Sequence, residues 1–249
     1  MSKIVWDATG SRYYENGVDH GVLYVQKSDG SYDTGVAWNG LTGVTESPDG
    51  AEPTDLWADN IKYASMRSAE TFGATIEAYT YPDEFAECDG SAEPVDGVRF
   101  GQQQRKPFGF VYRTNVGSDT LTSTDEGYKI HIIYNATASP SERAYETIND
   151  SPDAITFSWE ITTTPINATG YKPLSTIVID STKIDPAKLT LIENMLFGTD
   201  AVEESELGAD DGTPATDPTL PAPDDLLDLI KDAASAETTV EEPAAGGGQ

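Results

Sequence analysis

The sequence predicts a mainly β protein with one flanking α-helix, and three observations carry that prediction. In AITFSWEITTTP, residues 154–165, Ile155, Phe157, Trp159 and Ile161 alternate with Thr156, Ser158, Glu160 and Thr162. A period of two is the mark of a strand with one buried face. Most other apolar residues before position 185 fall in short runs closed by Gly, Pro, Asn or Asp, as strands and turns do. Only DPAKLTLIENMLFG, residues 185–198, joins a helical apolar stripe to signals at both ends.

The elements follow in order. GVLYVQ, residues 21–26, is a short strand, and Ser28-Asp29-Gly30-Ser31 is a turn. Residues 35–45, with Val36, Trp38 and Val44, form a second strand, and SPDGAEPTD is a loop of turn formers. Residues 61–79 hold β structure, clearest where Phe72, Ala74, Ile76 and Ala78 alternate with Thr71, Gly73, Thr75 and Glu77. Pro82 ends it and suits the first position of a helical turn over PDEFAEC. Residues 89–98 are a loop, and Phe108 to Arg113 and YKIHIIY, residues 128–134, are strands. Ser141 to Ile148 reads as another strand, turning through Asn149-Asp150-Ser151-Pro152 into residues 154–165. LSTIVID, residues 174–180, is the last strand. In the helix, Asp185 fits the N-cap, Pro186 the first turn and Gly198 the position past the end. Leu189, Ile192 and Leu196 then share a stripe that covers one face of the β core.

After Gly198 the character changes, so residues 1–198 form the β domain. Residues 199–223 are an acidic, Pro/Thr-rich linker, and residues 224–249 hold a short amphipathic segment and an acidic tail expected to be disordered. In the amphipathic segment Leu226, Leu227, Leu229 and Ile230 need a partner, because a lone ten-residue helix is marginal in water. Residues 198–249 hold 14 acids and one lysine, which leaves 29 acids and 14 bases in residues 1–197. The β domain is therefore acidic in its own right.

A formal net charge of −28 excludes nucleic-acid binding by phosphate neutralisation, which needs clustered Lys and Arg. Cys88 is the single cysteine, so no internal disulfide forms. MSKIVWDATG lacks an apolar secretion core, and no run reaches the ~18–20 apolar residues of a membrane helix. The expectation is a cytoplasmic protein with no membrane insertion. His20 and His131 are the only histidines, and with one Cys they cannot build a standard structural zinc site. No nucleotide-binding glycine loop and no G-x-S-x-G elbow occurs. No catalytic, cofactor-binding or metal-binding residue is assigned. Arg99, Arg105 and Lys106 are the one local basic cluster, read either as a solvated loop or as a contact to an acidic patch on a neighbouring subunit.

Several segments carry a resemblance. YKIHIIYNATASPSERAYETINDSPDAITFSWEITTTP (128–165), LSTIVIDSTKIDPAKLTLIENMLFG (174–198), the opening WDATGSRYYENGVDHGVLY (6–24) and LPAPDDLLDLI (220–230) resemble the major tail proteins of long-tailed, non-contractile bacteriophages. The likeness is a family-level pattern of strands, turns and one helix over nearly the whole chain. The acidic stretch after residue 198 departs from it, being richer in Ala, Glu and Gly.

The resemblance implies a β-sandwich or barrel with a flanking helix, assembling as hexameric rings that stack into a tail tube. The chain's partners would be itself and the tape-measure, tail-terminator and tail-tip proteins. Phage DNA would pass through without specific binding, and the chain would reside in the virion tail after assembly in the host cytoplasm. In that setting Thr156, Ser158, Glu160 and Thr162 face the lumen, where small hydroxyls and an acid repel phosphate; an ordinary outer surface has equal standing. Leu226, Leu227, Leu229 and Ile230, with Arg99, Arg105 and Lys106, become inter-subunit contacts. The alternative is a soluble β-sandwich binding or capsid-decoration module, which needs an exposed aromatic platform; the four tryptophans are scattered. An enzyme is the weakest reading.

Overall fold

A computed structural model describes residues 4–50, 52–119, 127–145, 147, 154–201 and 214–235. The chain is mainly β. In order it runs through β1 (Tyr13–Val25), β2 (Val36–Trp38), β3 (Leu41–Glu46), β4 (Asp49–Gly50), β5 (Pro53–Ala58), β6 (Ile61–Arg67), β7 (Glu70–Thr71) and β8 (Gly73–Ala78). It continues through α1 (Phe85–Cys88), β9 (Ala92–Val95), β10 (Val98–Phe100), β11 (Phe108–Ser118), β12 (Gly127–Ala138), β13 (Phe157–Thr163), β14 (Thr176–Asp180), α2 (Pro186–Phe197) and α3 (Pro223–Ser235).

The main sheet is antiparallel, in the order β2-β1-β11-β12-β13-β8-β3, with β14 also on β12. Strand β12 serves two partners along one edge. Its residues 129–133 pair with β14 and its residues 136–138 with β13. The handover falls at Asn135, whose φ of 48° bends the strand; Asn visits the left-handed region more readily than most residues. The sheet curls until its two ends meet. Strands β2 and β3 are joined by only Asn39-Gly40, and a side chain at Gly21 of β1 would collide with Leu41 of β3. The predicted strand over residues 35–45 is thus two strands with a corner between them.

Because the sheet curls, it has two cores. The inner one gathers Leu23, Trp38, Ile76, Phe108, Phe110, Ile133, Trp159 and Ile161, closed at one end by Phe85 and Cys88 of α1. Its aromatics meet edge to face: Trp38 and Trp159 lie 5.5 Å apart at 71°, and Phe85 and Trp159 lie 5.2 Å apart at 78°, a preferred ring geometry. The outer core lies on the opposite face of β1, β11, β12 and β14. There Tyr24, Val111, Ile130, Ile132 and Tyr134 pack against Ile192 and Leu196 of α2 and Leu226 of α3. The capping signals of α2 hold as read: the Asp185 carboxylate accepts from the amides of Ala187 and Lys188, and Gly198 closes the helix at φ 76°. Ile192 and Leu196 are fully buried, while Leu189 is half-buried.

Some expectations are corrected. Residues 141–145 are not a strand; the rest of that predicted element and its turn lie largely outside the described residues. Residues 92–100, expected as loop, include the hairpin β9–β10. Two helices flank the sheet rather than one. The end of the predicted linker is not free either. Thr199 and Thr216 pair through their backbones, the amide of Gly35 donates to the Pro218 carbonyl, and Leu220 sits in a notch above Gly109 that a side chain there would fill.

Candidate functional site

Helices α2 and α3 cover only part of the outer sheet face. The part made by β13, β8 and β3 carries no helix. Register places Glu160 opposite Thr75 and Thr75 opposite Thr45, while Ser158 faces Glu77 and Glu77 faces Gly43. Thr162 lies between Gly73 and Thr137. This surface is all hydroxyl, carboxylate and glycine, and the three strands contain no Lys or Arg. Their alternate residues Ala74, Ile76, Trp159 and Ile161 are buried inside, which forces the polar set outward. Of the four residues proposed from sequence, Glu160 and Thr162 are exposed on the strand and Ser158 is half-buried. Thr156 is exposed but precedes β13, as does Ile155, which is 38% exposed rather than buried.

A second surface leaves the same end of the sheet. Strands β3 and β8 continue as β4 with β7 and then β5 with β6, a single long hairpin arm. Its tip is Asp59-Asn60, with φ of 51° and 60°, the paired positive values of a type I′ turn. Nearly every residue of β5 and β6 is exposed. Among them are Leu56 at 43%, Trp57 at 68%, Ile61 at 62%, Tyr63 at 73% and Met66 at 61%. Ile61 and Tyr63 point to one face and Met66 to the other. Sequence reasoning missed this arm. The usable signal was Asp-Asn between two runs with β-forming residues, hidden by the polar content of both runs.

The basic cluster is used within the subunit. Arg99 pairs with Asp83 and lies 3.6 Å from Glu93. Arg105 donates to the Asp89 carbonyl at 3.1 Å, and Lys106 pairs with Glu87. These pairs tie residues 99–106 to α1 and its flanks, so the assignment to a neighbouring subunit is corrected. The amphipathic helix is corrected too. Leu226 is 1% exposed against its own sheet, and Leu227, Leu229 and Ile230 are half-buried. The partner these residues require is their own chain.

Titratable groups gather at the root of the arm. Glu46, the last residue of β3, accepts from the Tyr112 hydroxyl at 2.7 Å and lies 3.4 Å from Nδ1 of His131. The His131 ring stacks on Tyr112 at 4.6 Å, and its Nε2 is 3.0 Å from the Thr114 hydroxyl. The His131 contact, opposed by partial burial and aided by Tyr112, holds the Glu46 carboxyl below its ordinary range. His131 is therefore a satisfied strand histidine. His20 sits 2.8 Å from Asp19, which also takes Nε of Arg113 at 3.0 Å. Burial, with Glu87 adding to it, pushes the Cys88 thiol up to about 12. Among the described residues no group of three or more His, Cys, Asp or Glu could hold a metal ion, and no helix is long and apolar enough to cross a membrane. No protein-family model matches the chain, and no curated protein matches it.

Proposed function

We propose that this chain is a self-assembling structural protein, a subunit of a phage tail tube built from stacked hexameric rings. The observation that carries the reading is the arm. A two-stranded hairpin is marginal in water by itself, yet this one holds five large apolar residues at 43–73% exposure, on both its faces. Its outer edges are unpaired among the described residues, and such edges invite pairing with another chain. Repetition of one subunit supplies a partner for every arm. The bare face of β13, β8 and β3 supports the bore: an acidic, hydroxyl-rich wall without Lys or Arg gives DNA phosphates no site at which to exchange counterions and stick. In this reading the chain is no enzyme, resides in the virion tail and meets the tape-measure, terminator and tail-tip proteins.

The test is assembly of the purified chain, alone and seeded with tail-tip protein, followed by sedimentation and negative-stain microscopy. Hollow tubes or six-fold rings are expected, and Trp57→Asp with Tyr63→Asp should abolish them while leaving the subunit's melting temperature within about 2 °C, because both side chains are exposed. A wild-type chain that stays monomeric in both conditions refutes the reading. A binding module is the second reading. A depression of about 530 Å³ lined by Tyr13, Tyr14, Glu15 and Lys129 favours it, since exposed Tyr rings beside charged groups are what such a site uses.

A further inference from the structure

The N-terminal segment and a cleft elsewhere on the molecule fit one another, but not within one subunit. Ile4, Val5 and Trp6 are 68%, 73% and 75% exposed, the longest consecutive run of exposed large apolar residues in the described chain. They project from a turn that is held firmly. The Gly10 amide donates to the Asp119 carboxylate at 2.9 Å, Ser11 donates to the Ala8 carbonyl through its amide and its hydroxyl, and Arg12 reaches the Asp7 carbonyl at 3.3 Å. That turn sits where β1 begins, beside the end of β11.

The cleft lies at the other end of β1. It encloses about 600 Å³ between β1, the β2–β3 corner and the end of α2, with Val22, Trp38, Leu41 and Phe197 on its walls. Gly21, Gly35 and Gly40 line it and leave room where side chains would stand. Asp19, His20 and Asn39 give it polar groups. This is the composition of a site for an apolar side chain with one polar atom, and an indole is such a side chain. Lys3 precedes the apolar triplet in sequence, matching Asp19 in charge.

Reach decides which copy fills the cleft. From Tyr13 to Val18, the nearest cleft residue on β1, is roughly 16 Å at the usual strand rise, and Gly21 lies roughly 26 Å away. Three residues beyond the clamped Asp7 extend about 11 Å at most. A subunit's own Trp6 falls short, so the occupant comes from elsewhere. We propose that Ile4, Val5 and Trp6 of one copy insert into the β1–β2–α2 cleft of a second copy. This deepens the assembly reading and rests on it for the presence of the second copy.

Mixed single-cysteine crosslinking of the full chain tests it. Val5→Cys in one preparation and Ala37→Cys in another place thiols on the segment and in the cleft; Ala37 is exposed, and the native Cys88 is fully buried and does not compete. On mixing, concentrating and oxidising, a disulfide-linked heterodimer is expected. Adding Trp6→Ala to the Val5→Cys chain should lower its yield roughly tenfold or more, the usual order for removing a seated Trp. Tubes without the crosslink overturn the proposal and leave the assembly reading standing. The crosslink without tubes supports the proposal and removes the tube. A crosslink obtained with Tyr63→Cys on the arm but not with Val5→Cys assigns the cleft to the arm and overturns the proposal.

Discussion

Leu226→Ala asks whether the C-terminal helix belongs to the subunit or to its neighbour. Leu226 is 1% exposed and packs in the outer core with Leu196 and Leu220. The substitution removes three carbon groups, about 2.4 kcal/mol of transfer free energy at roughly 0.8 kcal/mol each. A cavity contribution adds to that, for a usual range of about 2–5 kcal/mol. Helix α3 lies at the surface and can settle toward the sheet, which favours the lower half, about 2–3.5 kcal/mol. Ala keeps the helix propensity, so packing alone is probed. For a chain of this size each kcal/mol moves the melting temperature roughly 2–4 °C, so the dilute, unassembled subunit should melt about 4–14 °C lower. Thermal unfolding followed by circular dichroism reads it, with exposed Asp228→Ala as the control. An unchanged melting temperature for Leu226→Ala, beside a clear drop for Leu196→Ala, refutes the docked helix and returns its apolar face to a neighbouring subunit.

Three further outcomes are expected. The Glu46 carboxyl titrates below its ordinary 4.5 in the folded chain, so the stability it contributes is present above that value and is lost as pH falls through the lower folded one; melting curves from pH 6 to 3 should fall less steeply for Glu46→Gln than for the native chain, and parallel slopes would show the His131–Tyr112 contact to be inert. Cys88 should resist maleimide at pH 8 for hours in buffer and react within minutes in denaturant, since burial holds its thiol up to about 12; rapid native labelling would mean that α1 opens. If β13 lines a bore, Glu160→Lys should permit tubes yet slow genome ejection, most clearly at low salt because the Debye length is only about 8 Å at physiological ionic strength; an unchanged rate from normal-looking particles removes the lumen role.

Local chemistry was legible in the sequence wherever it was self-contained. Asp185, Pro186 and Gly198 bound α2 because a cap is an interaction between residues two or three apart. The Phe157–Trp159–Ile161 alternation marks β13 because side-chain direction follows from backbone period alone. The arm was illegible because its strands are exposed on both faces and so show no inside-outside contrast. The basic residues of the 99–106 stretch carry no sign of their partners, since Asp83 and Glu87 approach them only after the chain has turned back past α1.

By itself, then, the sequence determined the β class, the position and ends of α2, the acidity of the domain and the apolar side of β13. These depend on period, capping and composition, which are properties of neighbours along the chain. Only the tertiary structure decided that Leu226 is buried by its own subunit, that the polar face of β13 joins β8 and β3 into one uncovered acidic surface, and that Trp6 and the cleft stand too far apart to meet within one copy. Each of these depends on strand order and on distances between residues remote in sequence, which are set by how the sheet curls and where its two ends meet.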